Sequence, residues 1–208
     1  MELLSHNSVA VVTFPPTAGY PRLTRDVLQE LRNLLDAIER ESLFHGVVIA
    51  ANAESFATGA DVEEIVELKG IAAREFARAG QDVFEKIARF LLPVVAAIRG
   101  YCLGGGLDLA LACHARVATY DASFGHPGAA LGLLTGWGGT QRLPRLIGKA
   151  QALQMLLTGD RIPATQALTV GLVDELVTSQ DLIDAAARRA ERMRSDASLR
   201  LANDTLPF

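Results

Sequence analysis

Cysteine is scarce in this chain: Cys102 and Cys113 are its only two in 208 residues. That supply excludes a small disulfide-stapled secreted scaffold and makes a reducing compartment the expectation. Both cysteines sit in apolar sequence, which reads as buried, inert thiols. A cationic surplus is missing too. Twenty Lys and Arg against 24 Asp and Glu give a net charge of −4, and phosphate neutralisation needs clustered cations, so nucleic acid is not an expected partner. The one local enrichment, Arg188, Arg189, Arg192 and Arg194, alternates with acidic and small residues as a solvated helix face does. No apolar run reaches the length of a membrane span. The opening "MELLSHNSVA" has neither a basic start nor a long apolar core, so no secretory leader is expected and a cytoplasmic protein is. His, Cys and carboxylate residues show no metal-ligand spacing, and no metal is expected.

What the chain does have is apolar sequence, half of its residues, enough to bury a substantial core. "VAVVTF" (9–14) reads as a strand closed by the proline pair at 15–16, and "GVVIAA" (46–51), "VVAAI" (94–98), "ARVAT" (115–119) and "LVDELV" (172–177) as further strands. Their apolar runs are continuous rather than alternating, which suits strands covered on both faces. Helical spacing links Val27, Leu28, Leu31, Leu34, Leu35 and Ile38 behind a Thr24 cap, and Phe76, Gly80, Val83, Phe84, Ile87 and Leu91 before Pro93. Shorter helices are expected at 61–68, 148–159, 163–171 and 181–194. Strands alternating with helices predict a layered α/β domain.

Two stretches carry chemistry. "YCLGGGLDLALAC" (101–113) places three glycines between a strand and a helix, where backbone N–H groups face out and the helix dipole favours negative charge. The spacing matches neither a dinucleotide fingerprint nor a P-loop. Close helix–strand packing and an oxyanion hole both remain open from the triplet alone, since glycine lets a carbonyl approach the main chain in either case. "SFATGADVEE" (55–64) repeats the arrangement, with Gly59-Ala60 at the turn and Asp61 at the helix start. Two such junctions supply the pair of N–H donors that an oxyanion hole requires.

Together these stretches resemble the crotonase superfamily, the enoyl-CoA hydratase/isomerase family. "SFATGADVEE" is similar to its F-x-x-G-A-D segment and "VVAAIRGYCLGGGLDLALACHARVAT" to its glycine-triplet block. "SFGHPGAALGLLTGWGGTQRLPRLIGKAQALQMLLTGDRIPATQALTVGLVDELV" is similar to its downstream block. The resemblance implies a fold of repeated ββα units, here a crotonase-like core over residues 1–178 with a shortened C-terminal helical segment over 179–208. It also implies trimers or dimers of trimers, and acyl-coenzyme A thioesters as substrates rather than cofactors. By position, Ala60 and Gly105 would be the two oxyanion donors. The backbone of Ala60, Asp61 and Val62 would hold the coenzyme.

The chain departs from the family at one catalytic position. Hydratases of this family hold water between two glutamates. One aligns with Asp108, a methylene shorter; the other, in a segment resembling F-G-x-P-E, falls on Gly128 of "FGHPG". Asp108 is then the remaining general acid/base, and His126, two residues before Gly128, is a further candidate for proton transfer. Trp137 reads as packing. The implied activity is hydration of a 2-enoyl-CoA or a related isomerisation in fatty-acid or other acyl-CoA metabolism. The missing carboxylate leaves hydrolysis, decarboxylation, or a catalytically weak acyl-CoA-binding or assembly subunit as alternatives.

Overall fold

The computed structural model describes residues 1–14, 19–51 and 55–196. The proline pair at 15–16 and the chain beyond 196 lie outside these residues. In order, the elements are β1 (Glu2–His6), β2 (Val9–Phe14), α1 (Arg25–Glu41), β3 (Gly46–Ala51), α2 (Val62–Glu67), α3 (Ile71–Ala88), β4 (Val94–Ile98) and β5 (Tyr101–Leu103). There follow α4 (Gly105–Ala112), β6 (Ala115–Thr119), β7 (Ser123–Gly125), a 3₁₀ turn (Pro127–Leu131), α5 (Gly139–Ile147), α6 (Lys149–Thr158), β8 (Ile162–Pro163), α7 (Ala164–Thr169), β9 (Glu175–Val177) and α8 (Leu182–Ser195).

The main sheet runs β1-β2-β3-β4-β6-β9, parallel throughout except for the β1–β2 hairpin. Its continuous apolar strands are explained by cover on both faces. Ala10, Val12, Phe14, Ile49, Ala96 and Ile98 point to a large core shared with α1, α3 and α4. Val9, Val11, Val48, Ala50, Val95, Ala97 and Val117 point the other way, onto Leu182, Ala185, Ala186, Ala190 and Met193 of α8. α8 presents small residues, so it lies close: a Cβ placed on Gly46 would sit 2.7 Å from that of Ala190.

A second sheet, β5-β7-β8, stands beyond the ends of the main strands. The chain enters it directly from β4 and leaves it into α4, whose residues from Gly106 to Ala112 are all buried. A helix apolar on every side is what a position between two sheets and two other helices demands.

The short elements are the ones that sequence patterning misses. β1 is mostly exposed and polar, and it is held by a two-residue turn in which Asn7 takes φ 53°. β5, β7 and β8 span only two or three residues each. α5 contains Pro144, which reads in sequence as a breaker. β9 covers the second half of the 172–177 strand expectation; Leu172 and Val173 are instead buried beside α7.

Candidate active site

The two junctions meet. The backbone of Ala57 bridges to Cys102, its N–H donating to the Tyr101 carbonyl and its carbonyl accepting from Leu103 N–H. This pairing runs residues 57–60 alongside the glycine triplet. Side chains are excluded from the contact: a Cβ on Gly106 would collide with the Ala57 carbonyl oxygen and lie 2.8 Å from the Ala57 Cβ. Gly59 and Gly104 turn the two chains with φ of 103° and 53°, values that favour glycine.

Each turn is followed by an outward N–H. A Cβ on Gly105 would stand 3.4 Å from Ala60 N, and one on Gly59 would stand 2.9 Å from Gly105 N, so the two peptides lie side by side. Gly105 is the first residue of α4, where the first four N–H groups have no intrahelical acceptor. Among the described residues, neither the Ala60 nor the Gly105 N–H is donated to another protein group. Leu23 N–H donates to the Gly59 carbonyl, fixing the plane of the Gly59–Ala60 peptide. Two converging donors at the dipole-positive end of a buried helix can stabilise an oxyanion.

Asp61 caps α2 by accepting from Glu63 N–H at 3.0 Å, and its other oxygen accepts from Arg22 at 3.0 Å. The Arg22 guanidinium is the first cause holding its carboxyl below the usual range. Val62 is exposed at the head of α2. Asp61 and Val62 therefore border the same rim as Ala60.

Asp108 lies one turn into α4 and is fully buried. Its Oδ2 accepts from the Thr135 hydroxyl and from Trp137 N–H at 3.2 Å. Gly139 leaves the space that the carboxylate fills, since a Cβ there would collide with Oδ1. Burial pushes the carboxyl up to about 6, against the Thr135 and Trp137 hydrogen bonds, the Arg142 charge and the Gly139 backbone N–H, which lower it. His126 directly follows β7 and is 4 % exposed. Its Nε2 stands 3.6 Å from Asp108 Oδ1, and neither atom has a hydrogen-bond partner. Burial pushes the imidazole down to about 4. The separation alone would suggest an ion pair. The opposed shifts argue otherwise, because burial disfavours the charged form of each group.

Gly128 lies in the 3₁₀ turn, half-buried, with Leu133 O 3.3 Å from where its Cβ would be. Thus the Ala60 and Gly105 peptides come together, as do Asp108 and His126, while Asp61 turns to Arg22 on the rim beside Ala60 and position 128 contributes no side chain. Thr135 and Trp137 are partners that sequence reasoning missed. Trp137 does pack, against Phe76 and Phe84 with centroids 5.2 and 5.6 Å away. Its ring also lies over Gly105, 2.5–2.6 Å from where a Cβ would be, so it walls one side of the paired N–H groups. The clustering of glycines in "TGWGGT" was the available signal, because only small residues admit the ring and the carboxylate so closely.

The cysteines lie in the core. Burial pushes the Cys113 thiol up to about 12 and Cys102 in the same direction. His6 faces Asp184 at 3.0 Å and His114 accepts from Val94 N–H at 2.9 Å, both away from the site. Among the described residues no group of three or more His, Cys, Asp or Glu could hold a metal ion, and no helix is long and apolar enough to cross a membrane.

Comparison with known proteins bears on the family and the fold. The enoyl-CoA hydratase/isomerase family model matches residues 5–206. A short-chain-enoyl-CoA hydratase of Clostridium acetobutylicum is 37% identical over 196 residues, 94% of this chain and 75% of the relative. The crystal structure of an enoyl-CoA hydratase from Bacillus anthracis superposes with a TM-score of 0.89 at 33% identity, covering 98% of this chain and 80% of that one. The structure of DspI from Pseudomonas aeruginosa superposes with a TM-score of 0.87 at 34% identity, covering 97% and 83%.

Proposed function

The chain belongs to the enoyl-CoA hydratase/isomerase family, and from that premise we propose that it adds water across the double bond of a short 2-enoyl-CoA thioester. The observation that carries this reading is the pair of adjacent N–H groups, Ala60 and Gly105, with the buried Asp108 carboxylate three residues after Gly105 in the same helix. The thioester oxygen would sit between the two donors. Negative charge developing there would be stabilised by roughly 3–4 kcal/mol for each well-aimed donor. Asp108 is the general acid/base. Its elevated proton affinity brings it closer to neutrality, where a group that must both take and return a proton works best. The coenzyme lies along Ala60, Asp61 and Val62, and Gly128 borders the acyl end. The thioester is the substrate, and no separate cofactor takes part.

The compartment we assign is the cytoplasm, and the metabolic setting is the turnover of fatty or other acyl-CoA chains. We assign assembly as a trimer or dimer of trimers. It is supported by exposed apolar residues: Leu131 at the end of the 3₁₀ turn, Leu134 in the loop after it, and Leu153 and Leu157 on α6.

Loss of absorbance of crotonyl-CoA tests the reaction. Wild type should consume it, and Asp108→Asn should reduce kcat by about 100-fold or more, the usual contribution of a positioned acid/base. A wild type that binds coenzyme A thioesters without turnover would instead be a binding subunit.

A further inference from the structure

The missing carboxylate at position 128 raises the question of what holds the second side of the water. Three observations bear on it, and the inference they carry rests on the hydratase reading above. First, Gly128 brings no polar atom to the site, and the neighbour of its would-be Cβ is the Leu133 main chain. Second, His126 Nε2 and Asp108 Oδ1 face one another at 3.6 Å, with side chains 5% and 0% exposed. Neither atom has a hydrogen-bond partner. A buried polar atom left unpaired is destabilising by about 1–3 kcal/mol, so two facing each other mark a place built for a ligand with hydrogen-bonding capacity on both sides. Their separation is too long for a hydrogen bond between them, and neither atom has water-accessible surface, so a water bonded to both enters as the two side chains move apart.

Third, both groups are aimed by the frame of the oxyanion site. Thr135 and Trp137 hold Oδ2 of Asp108, which leaves Oδ1 turned toward His126. The carbonyl of Gly125, the residue before His126, accepts from Gly104 N–H at 2.9 Å, so the histidine is tied to the first glycine of the triplet.

We propose that His126 replaces the absent second carboxylate, so that its Nε2 and Asp108 Oδ1 together hold the water that adds to the enoyl double bond. Asp108, ionised, takes one proton from this water as the water oxygen bonds to C3. The C2=C3 electron pair moves toward the thioester, and the resulting enolate oxygen rests on the Ala60 and Gly105 N–H groups. The same proton then passes from Asp108 to C2, which returns the carboxylate to its starting state and completes the addition of one water. His126 stays neutral, its proton on Nδ1. Its Nε2 accepts a hydrogen bond from the water's second O–H, which stays on the oxygen, and so directs the oxygen lone pair at C3. Burial, which keeps the imidazole uncharged at neutral pH, suits this acceptor role.

The test measures kcat on crotonyl-CoA alongside the dissociation constant of unreactive butyryl-CoA. Expected is a drop in kcat of about 100-fold for His126→Asn, with butyryl-CoA affinity within about threefold of wild type, because a water-holding group acts on the chemical step. Adding Gly128→Glu to His126→Ala should regain at least about tenfold in kcat over His126→Ala alone, by supplying an acid/base group from the other side. Full kcat in His126→Asn, a parallel loss of kcat and binding, or no gain from the added carboxylate overturns the proposal. If wild type itself binds butyryl-CoA but never hydrates crotonyl-CoA, the hydratase reading falls and takes this inference with it. Turnover in wild type that survives His126→Asn removes the inference alone.

Discussion

The junction at Gly59-Ala60 and the junction at Gly104-Gly105 present the same local design: a positive-φ glycine, then an unbonded N–H at the head of a helix. What stands behind them differs. α2, after the first, is six residues long with no buried side chain, and its cap is a partly exposed aspartate shared with Arg22. α4, after the second, is buried from Gly106 onward and is packed by α3, α5 and the second sheet. One donor is therefore fixed by the core, while the other is carried by a surface turn pinned through Leu23 and Ala57. The buried side also carries Asp108, so under the proposed function the firmly packed junction is the one beside the acid/base and the exposed one is where the coenzyme would lie.

Gly106→Val should break this comparison most severely. Its branched side chain would drive into the Ala57 backbone and part the two junctions. Overpacking at a site that cannot yield destabilises by about 1–3 kcal/mol, and an offset of about 1 Å between donors lowers kcat on the order of 100-fold. Urea unfolding and the crotonyl-CoA assay measure the two effects. A variant with wild-type kcat would show that the junctions need not touch.

Next in size is the pH dependence of stability on the α4 side. Asp108 has a folded value of about 6, above its ordinary 3.8, so its protonated form is favoured by folding. The stability this confers is fully present below about pH 4 and lost as pH rises through 6. His126 has a folded value of about 4, below its ordinary 6.5, so its contribution is present above 6.5 and lost as pH falls toward 4. Each is worth on the order of 3 kcal/mol, and in wild type the two oppose one another across the same window. Asp108→Asn removes one arm. Compared with wild type it should lose about 3 kcal/mol on going from pH 8 to 4. Urea titrations at several pH values decide this, and parallel curves for the two proteins would refute it.

The smallest effect is expected at the surface junction. Asp61→Asn keeps a capping oxygen and gives up only a partly exposed ion pair with Arg22. The kcat should stay within about twofold of wild type, since caps of Asn and Asp are equivalent and such pairs contribute little. A large fall in kcat would mean that the Ala60 donor depends on Asp61 more than its exposure implies.

How far these features were legible in sequence follows from the range of the interactions. β2, β3, β4 and β6 announced themselves because burial on both faces forces unbroken apolar runs. The two glycine turns were legible because both take a positive φ ahead of a helix, and their reading as an oxyanion pair at Ala60 and Gly105 is what the family resemblance implied. The surroundings of Asp108 were not. Thr135, Trp137 and Gly139 approach it through contacts 27 or more residues apart in sequence, and no periodicity marks them. His126 could be nominated from its neighbour Gly128, but that its ring faces Oδ1 depends on β5–β7 pairing, set by three residues per strand.

The alanine-faced helix α8 has a consequence for biosynthesis. The apolar side of the sheet that it covers is assembled from strands drawn from the first 120 residues, yet its cover lies beyond residue 180. A chain emerging from the ribosome therefore displays Val9, Val11, Val48, Val95 and Val117 to the surrounding medium for some sixty residues of further synthesis. At about 5–20 residues per second that is an interval of several seconds. During it the nascent sheet is a natural client for chaperones, and any message truncated before α8 would yield a product whose sticky face is never closed.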